Sequence, residues 1–178
     1  MMIFEAVLII FNILLLGFVT AIMVHSGSRD DDCIETVEFI VLDTVNQFLQ
    51  YATPGSACID IRSPRDLILK PGEQIKLGSG LKVWIKDNRY VGLLFPRSGL
   101  GSKGLNLSHT VGVIDSDYQG EITIPLKNTG SENIVIERGQ RIVQLGFFRI
   151  EQPTLRRKEK FSQETTRGRG GLGSTGIR

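Results

Sequence analysis

Gly112-Val113-Ile114-Asp115-Ser116-Asp117-Tyr118-Gln119-Gly120 places two carboxylates and a phenol within four residues, between two glycines. An apolar run, Val111 to Ile114, broken only by Gly112, leads into it. An alternating segment, Glu121-Ile122-Thr123-Ile124-Pro125, leads out. The pattern predicts a strand, a tight turn and a second strand, a hairpin with its polar groups gathered at the turn. A carboxylate held there can activate water, and a nearby ring can stack on a base. The plain alternative is a solvated hairpin turn with a surface tyrosine.

Around this stretch the apolar runs stay short. Val37–Leu42, Ala57–Ile61, Asp66–Leu69, Gln74–Leu77, Lys82–Lys86, Tyr90–Phe95, Ile134–Ile136 and Arg141–Ile150 each read as a strand. Pro71-Gly72, Gly78, Gly80, Asp87-Asn88 and Pro96 punctuate them. No segment from 36 to 150 keeps a 3.6 period for three turns; Val45–Tyr51 offers one helical turn. Many short strands joined by Gly/Pro turns predict an all-β domain, a sandwich, jelly roll or barrel. The chain of 178 residues is long enough for one such domain with a real core. Its 20 glycines cluster at turns without a repeat, which excludes a collagen-like chain. Cys33 and Cys58 make no disulfide framework and read as reduced thiols. A formal charge of +2 is too small to imply nucleic acid, and none is expected as a partner.

The first residues are of another kind. Residues 3–24, IFEAVLIIFNILLLGFVTAIMV, are interrupted only by Glu5, Asn12 and Thr20. As a helix they would span roughly 33 Å, about the hydrocarbon thickness of a bilayer. The expectation is a separate N-terminal apolar helix within residues 1–25 that crosses a membrane. A polar linker would follow over 26–35, then a β domain over 36–155 and a flexible C-terminal arm over 156–178. The β domain would lie in cytoplasm or nucleus, tethered to a membrane if that helix inserts. No Lys or Arg precedes the run, which disfavours a cleaved signal peptide.

Five segments carry polar groups suited to phosphate and base. Asp60 interrupts the alternation of Pro54-Gly55-Ser56-Ala57-Cys58-Ile59-Asp60-Ile61, and a buried carboxylate there needs a partner. Pro96-Arg97-Ser98-Gly99-Leu100-Gly101-Ser102-Lys103-Gly104 offers a guanidinium, a hydroxyl and exposed backbone N–H groups. It lacks the Walker A spacing, so a P-loop ATPase is disfavoured. The opening stretch is the third. In Glu137-Arg138-Gly139-Gln140-Arg141-Ile142-Val143-Gln144-Leu145, Gln144 lies inside an apolar run, either as a phosphate donor or as a satisfied edge-strand residue. Arg167-Gly168-Arg169-Gly170-Gly171-Leu172-Gly173-Ser174-Thr175-Gly176 is too glycine-rich to hold its own fold, but it can order around a polyphosphate. Its alternative is an Arg/Gly tail that binds RNA.

In this order the five segments resemble the trimeric deoxyuridine triphosphatase (dUTPase) family, over roughly residues 36–178. The resemblance implies a jelly-roll-like β subunit, a homotrimer with active sites between subunits, and an arm that closes over bound nucleotide. It implies hydrolysis of dUTP to dUMP and pyrophosphate, with Mg²⁺ held by the triphosphate and water rather than by protein ligands. Asp115 then matches the carboxylate that activates the attacking water, with Asp60 and Asp117 in supporting places. Tyr118 matches the ring packed beneath the deoxyribose, leaving no room for a 2′-hydroxyl. Arg97, Ser98, Gly99 and Gln144 match phosphate contacts. His109, Gly112 and Val113 belong to the strand pair around residues 107–113 whose backbone would read uracil. Arg167, Gly171, Leu172, Gly173, Ser174 and Thr175 match the closing arm.

Three residues depart from the family pattern. Cys58 replaces a glycine and needs space, Leu172 replaces a phenylalanine that stacks on uracil, and His109 stands where Asn or Gly is usual. Two other activities compete: a non-catalytic nucleotide-binding regulatory module, and the related dCTP deaminases. The deaminases carry a Thr-Leu-Glu-like segment where this chain has Thr123-Ile124-Pro125.

Overall fold

The computed structural model describes residues 33–171. The apolar segment 3–24 lies outside the described residues, as do Leu172, Gly173, Ser174 and Thr175 of the arm. Among the described residues no helix is long and apolar enough to cross a membrane.

The all-β reading holds. Among the described residues ten strands run in chain order: β1 (Glu38–Val41), β2 (Ile59–Arg62), β3 (Leu67–Leu69), β4 (Gln74–Trp84), β5 (Tyr90–Pro96), β6 (Leu105–Leu107), β7 (Gly112–Ile114), β8 (Glu121–Asn128), β9 (Ile134–Ile136) and β10 (Arg141–Arg149). One short helix, α1 (Ser98–Gly101), follows β5. The expected helical turn after β1 is a 3₁₀ turn over Thr44–Asn46, capped by the Asp43 carboxylate, which accepts from Val45 N–H.

The strands form a sheet of order β1-β4-β8-β6, a second of order β2-β10-β5-β7, and a two-stranded sheet β3-β9. All pairs are antiparallel. Alternation sends one face inward along β2, through Ile59 and Ile61, and along β8, through Ile122, Ile124 and Leu126, while β10 buries Ile142, Val143 and Leu145 across a register shift. They join Leu81, Leu94 and Ile114 in one core shared by both large sheets. Burying such side chains supplies the main favourable term, ~1.5–3 kcal/mol each.

Two expectations are corrected. The opening stretch is not a hairpin: β7 pairs with β5 and β8 pairs with β4 and β6, so residues 115–120 cross from one sheet to the other. Alternation in a short apolar run says that a strand forms, not which strand it joins. Likewise Gly78 and Gly80 do not end a strand. β4 runs through them as a bulge, its register against β8 jumping from Gly78↔Thr123 to Lys82↔Glu121. Gly80 takes φ +72°, and its N–H donates to the Glu121 carboxylate at 2.8 Å. Pro125 fits inside β8 because β6 ends alongside it, with Ser108 N–H donating to the Pro125 carbonyl.

Candidate active site

Asp60 of β2 opposes Gln144 of β10, and Gln144 opposes Phe95 of β5. This register gathers the first, second and fourth segments at one end of the second sheet. The Asp60 carboxylate is pinned between two guanidiniums, with Arg97 Nε at 2.8 Å and Arg141 Nη1 at 3.2 Å. Two positive groups on one carboxylate leave a net positive cluster at the surface. Arg97 stands at the start of α1, where the first N–H groups of a helix have no intrahelical acceptor. Ser98 and Gly99 are exposed beside it. Gln144 lies on an interior strand, so the edge-strand alternative is excluded. Its amide donates to the Pro96 carbonyl at 3.2 Å, holding it next to Arg97. Arg141 was not singled out from the sequence; as an exposed basic residue opening a strand it carries no period signal, and only the strand register brings it to Asp60.

Cys58 precedes β2, and an ideal Cβ on Gly146 of β10 would lie 2.8 Å from its Sγ. The room that Cys58 needs therefore comes from a glycine on the neighbouring strand. Partial burial, then the Asp60 charge, pushes its thiol pKa up, away from nucleophilic reactivity.

The third segment sits elsewhere. Asp115, Asp117 and Tyr118 are exposed on the crossing between sheets. Backbone bonds shape this turn and its approach: Tyr118 N–H donates to the Asp115 carbonyl, Lys86 N–H to the Ser116 carbonyl, Thr110 N–H to the Leu107 carbonyl and Val111 N–H to the His109 carbonyl. Lys86 and Thr110 adopt φ of +70° and +72°. For a β-branched residue such as Thr110 that conformation is strained, and it lies in the turn joining β6 to β7. β6 and β7 belong to different sheets, so the expected strand pair around 107–113 is two strands linked by this turn. His109 is exposed there, with its Cε1 close to Gly112; Val113 is exposed and Gly112 buried. The Asp115–Asp117 edge opens on a cavity of about 610 Å³ that Trp84, Lys86 and Asn88 also line.

The fifth segment is described as far as Gly171. Residues 151–169 are exposed throughout, and Arg167 Nε donates to the Gly170 carbonyl at 3.0 Å in a local turn.

The two polar centres are thus far apart in one chain. Asp60 lies on β2 and Asp115 follows β7, the two edge strands of the second sheet, three strand spacings or about 14 Å apart laterally. Along the strands Asp60 is level with Phe95, while Ile114 is level with Gly92 and Asp115 lies one residue further. Four residues add ~14 Å, so the carboxylates are separated by roughly 20 Å.

The family model described as dUTPase matches residues 46–176. Deoxyuridine 5'-triphosphate nucleotidohydrolase of Polynucleobacter asymbioticus is 42% identical over 134 residues, 74% of this chain and 89% of that protein. The enzyme of the same name from Neisseria meningitidis is 44% identical over 130 residues, 71% of this chain and 86% of its own length. Among solved structures, the dUTPase of Staphylococcus bacteriophage 80alpha with dUPNHPP superposes with a TM-score of 0.73 at 28% identity, covering 80% of this chain and 99% of that one. With the match running from the 3₁₀ turn through both polar centres into the arm, the chain belongs to the dUTPase family.

Proposed function

We propose that the chain hydrolyses dUTP to dUMP and pyrophosphate at a site shared between copies of itself. The observation that carries the shared site is the strand order and register, which put Asp60 and Asp115 at opposite corners of the second sheet, about 20 Å apart at ordinary strand spacings. Hydrogen bonds close only within ~3 Å, so one phosphorus cannot meet both centres of a single chain. A second copy, in a closed ring such as the homotrimer, would bring the Asp115 edge of one subunit to the Arg97 cluster of another. The exposed arm would then lie across a neighbour.

In this site Asp115 takes the proton from a water as it attacks the α-phosphorus in line, and pyrophosphate leaves. A carboxylate within hydrogen-bond reach of that water is a competent general base for the step. Arg97, Ser98, Gly99 and Gln144 hold phosphate oxygens, and Asp60, steadied by Arg141, aims the Arg97 guanidinium. Tyr118 packs beneath the deoxyribose; His109, Gly112 and Val113 line the base pocket, with Asp117 flanking Asp115. Arg167, Gly171, Leu172, Gly173, Ser174 and Thr175 close over the terminal phosphates. The donor chemistry suits Mg²⁺ carried on the triphosphate. Among the described residues no three His, Cys, Asp or Glu converge, and both Asp60 oxygens already accept from arginines. When bound, the ion neutralises phosphate charge and orients the leaving group. Residues 3–24 would tether the assembly to a membrane.

The test is pyrophosphate release by the full chain from dUTP, UTP, dTTP and dCTP, beside Asp115→Asn. The expected result is turnover of dUTP alone, with kcat lowered at least ~100-fold in the variant while dUTP still binds. Full turnover by Asp115→Asn would remove Asp115 from its role. Tight binding without release would identify a regulatory module, and uracil nucleotide formed from dCTP a deaminase.

A further inference from the structure

We infer that Glu121 is a positioning residue for sugar discrimination, locking the Tyr118 ring from the β4 bulge without touching nucleotide. The inference rests on the proposed place of Tyr118 beneath the deoxyribose.

A tyrosine on an exposed turn is not held by burial, and Tyr118 keeps 41% of its surface in solvent. It is held at its two ends. Its N–H closes on the Asp115 carbonyl, and its phenol donates to the Glu121 carbonyl at 2.9 Å. Between these ends the ring folds back over Gly120, where an ideal Cβ would lie 2.6 Å from the ring Cζ. Any side chain at 120 would push the ring away.

The phenol is only as well placed as the carbonyl it bonds. Glu121 opens β8, the point where a strand normally frays, yet its carboxylate reaches across to β4 and accepts from Gly80 N–H at 2.8 Å. Gly80 presents that N–H because it sits in the left-handed region, φ +72°, at the crest of the bulge. The conformation is held in turn from outside: Leu42 and Asp43 N–H both donate to the Gly80 carbonyl, at 2.7 and 3.1 Å. A side chain at 80 would meet Asp43 Cβ at 2.6 Å. The chain of contacts Asp43–Gly80–Glu121–Tyr118 therefore fixes the height of the ring under the sugar. Excluding one hydroxyl requires the ring to stay put to within a fraction of that group's size, so slack anywhere along this chain admits the 2′-OH.

The experiment measures kcat/KM for dUTP and for UTP with the full chain, and follows their ratio. Glu121→Ala and Tyr118→Phe are each expected to lower the dUTP-over-UTP ratio about tenfold, chiefly by raising kcat/KM for UTP. Glu121→Gln keeps an acceptor for Gly80 N–H and is expected to retain the ratio. A merely structural role would lower both substrates together and leave the ratio fixed. Urea unfolding of each variant identifies one that does not fold, and Tyr118→Phe, which removes one exposed oxygen, then carries the test. If Tyr118→Ala collapses the ratio while Glu121→Ala and Tyr118→Phe leave it intact, the lock is wrong and the role of Tyr118 stands. If Tyr118→Ala leaves the ratio intact, the role of Tyr118 itself fails, and the lock with it.

Discussion

A single carboxylate shared by two arginines has an asymmetric consequence when it is altered. Asp60→Asn keeps the shape of the residue but removes the charge that holds Arg97 and Arg141 side by side. The two guanidiniums then repel, and Arg97 must be ordered by substrate alone. The expected outcome is a rise in KM for dUTP of about tenfold with a smaller change in kcat, read from steady-state kinetics. Cys58 poses a packing question instead. Gly146→Ala would press a methyl group into Cys58 Sγ and the Phe148 ring, each 2.8 Å from the new atom. Overpacking of this kind costs about 1–3 kcal/mol. Adding Cys58→Gly removes one of the two clashes, so the double variant is expected to regain part of the loss, measured as a non-additive shift in the urea midpoint.

At the scale of elements, the bulge and the 3₁₀ turn are stapled by one buried side chain. Asn46 donates from Nδ2 to the Ser79 carbonyl at 2.9 Å and to the Arg62 carbonyl at 3.1 Å, while its Oδ1 accepts from Arg62 N–H at 2.9 Å. Asn46→Ala leaves these backbone groups without their partner, and it is expected to cost about 2–4 kcal/mol in urea unfolding. Beside it, Arg138 grips Asp43 through both carboxylate oxygens, at 2.7 and 3.0 Å. That pairing, then the Val45 N–H, holds the Asp43 carboxyl below the usual carboxylate range. A depressed folded pKa stabilises the fold above the unfolded value of ~4 and loses that contribution as pH falls through the folded value. Arg138→Gln is therefore expected to be less stable than the parent at pH 7, with the gap narrowing in acid; a gap independent of pH would assign the loss to the Pro64 carbonyl that Arg138 also contacts. These elements also show what the sequence discloses. Short apolar runs marked most of the strands, though not β6, whose three residues Leu105–Leu107 are too short to stand out. They could not locate the β4 bulge, whose stabilising carboxylate comes from Glu121, 41 positions away. Nor could they tell that β7 and β8 part company, since the choice of partner is made by the whole sheet. The candidate site residues in glycine-bearing segments were proposed because their motifs resemble a family, whereas Asn46 and Arg141 act through register and carry no local signature.

At the scale of the molecule, strand order makes a demand that one chain cannot meet. Asp60, with Arg97 against it, lies at one edge of the second sheet, and Asp115 lies beyond the opposite edge. If one triphosphate touches both centres, they come from different copies, and two differently damaged chains must be able to repair each other. On the proposed roles, Asp115→Asn lacks the base but keeps the Arg97 cluster, and Arg97→Ala lacks the phosphate clamp but keeps the base. Each alone forms only defective sites. When the two are unfolded together in equal amounts and refolded, a hybrid contains junctions where an Arg97→Ala subunit supplies Asp115 and an Asp115→Asn subunit supplies Arg97. For random mixing in a ring with directional junctions, about one site in four is intact at both positions, so activity should return to about a quarter of the parent value. Mixing the two after separate refolding should restore activity only as fast as subunits exchange, which ties the recovery to assembly. A co-refolded mixture no more active than its components would mean that both centres serve a nucleotide within one chain, and the strand register in the second sheet would then have to differ from the one described.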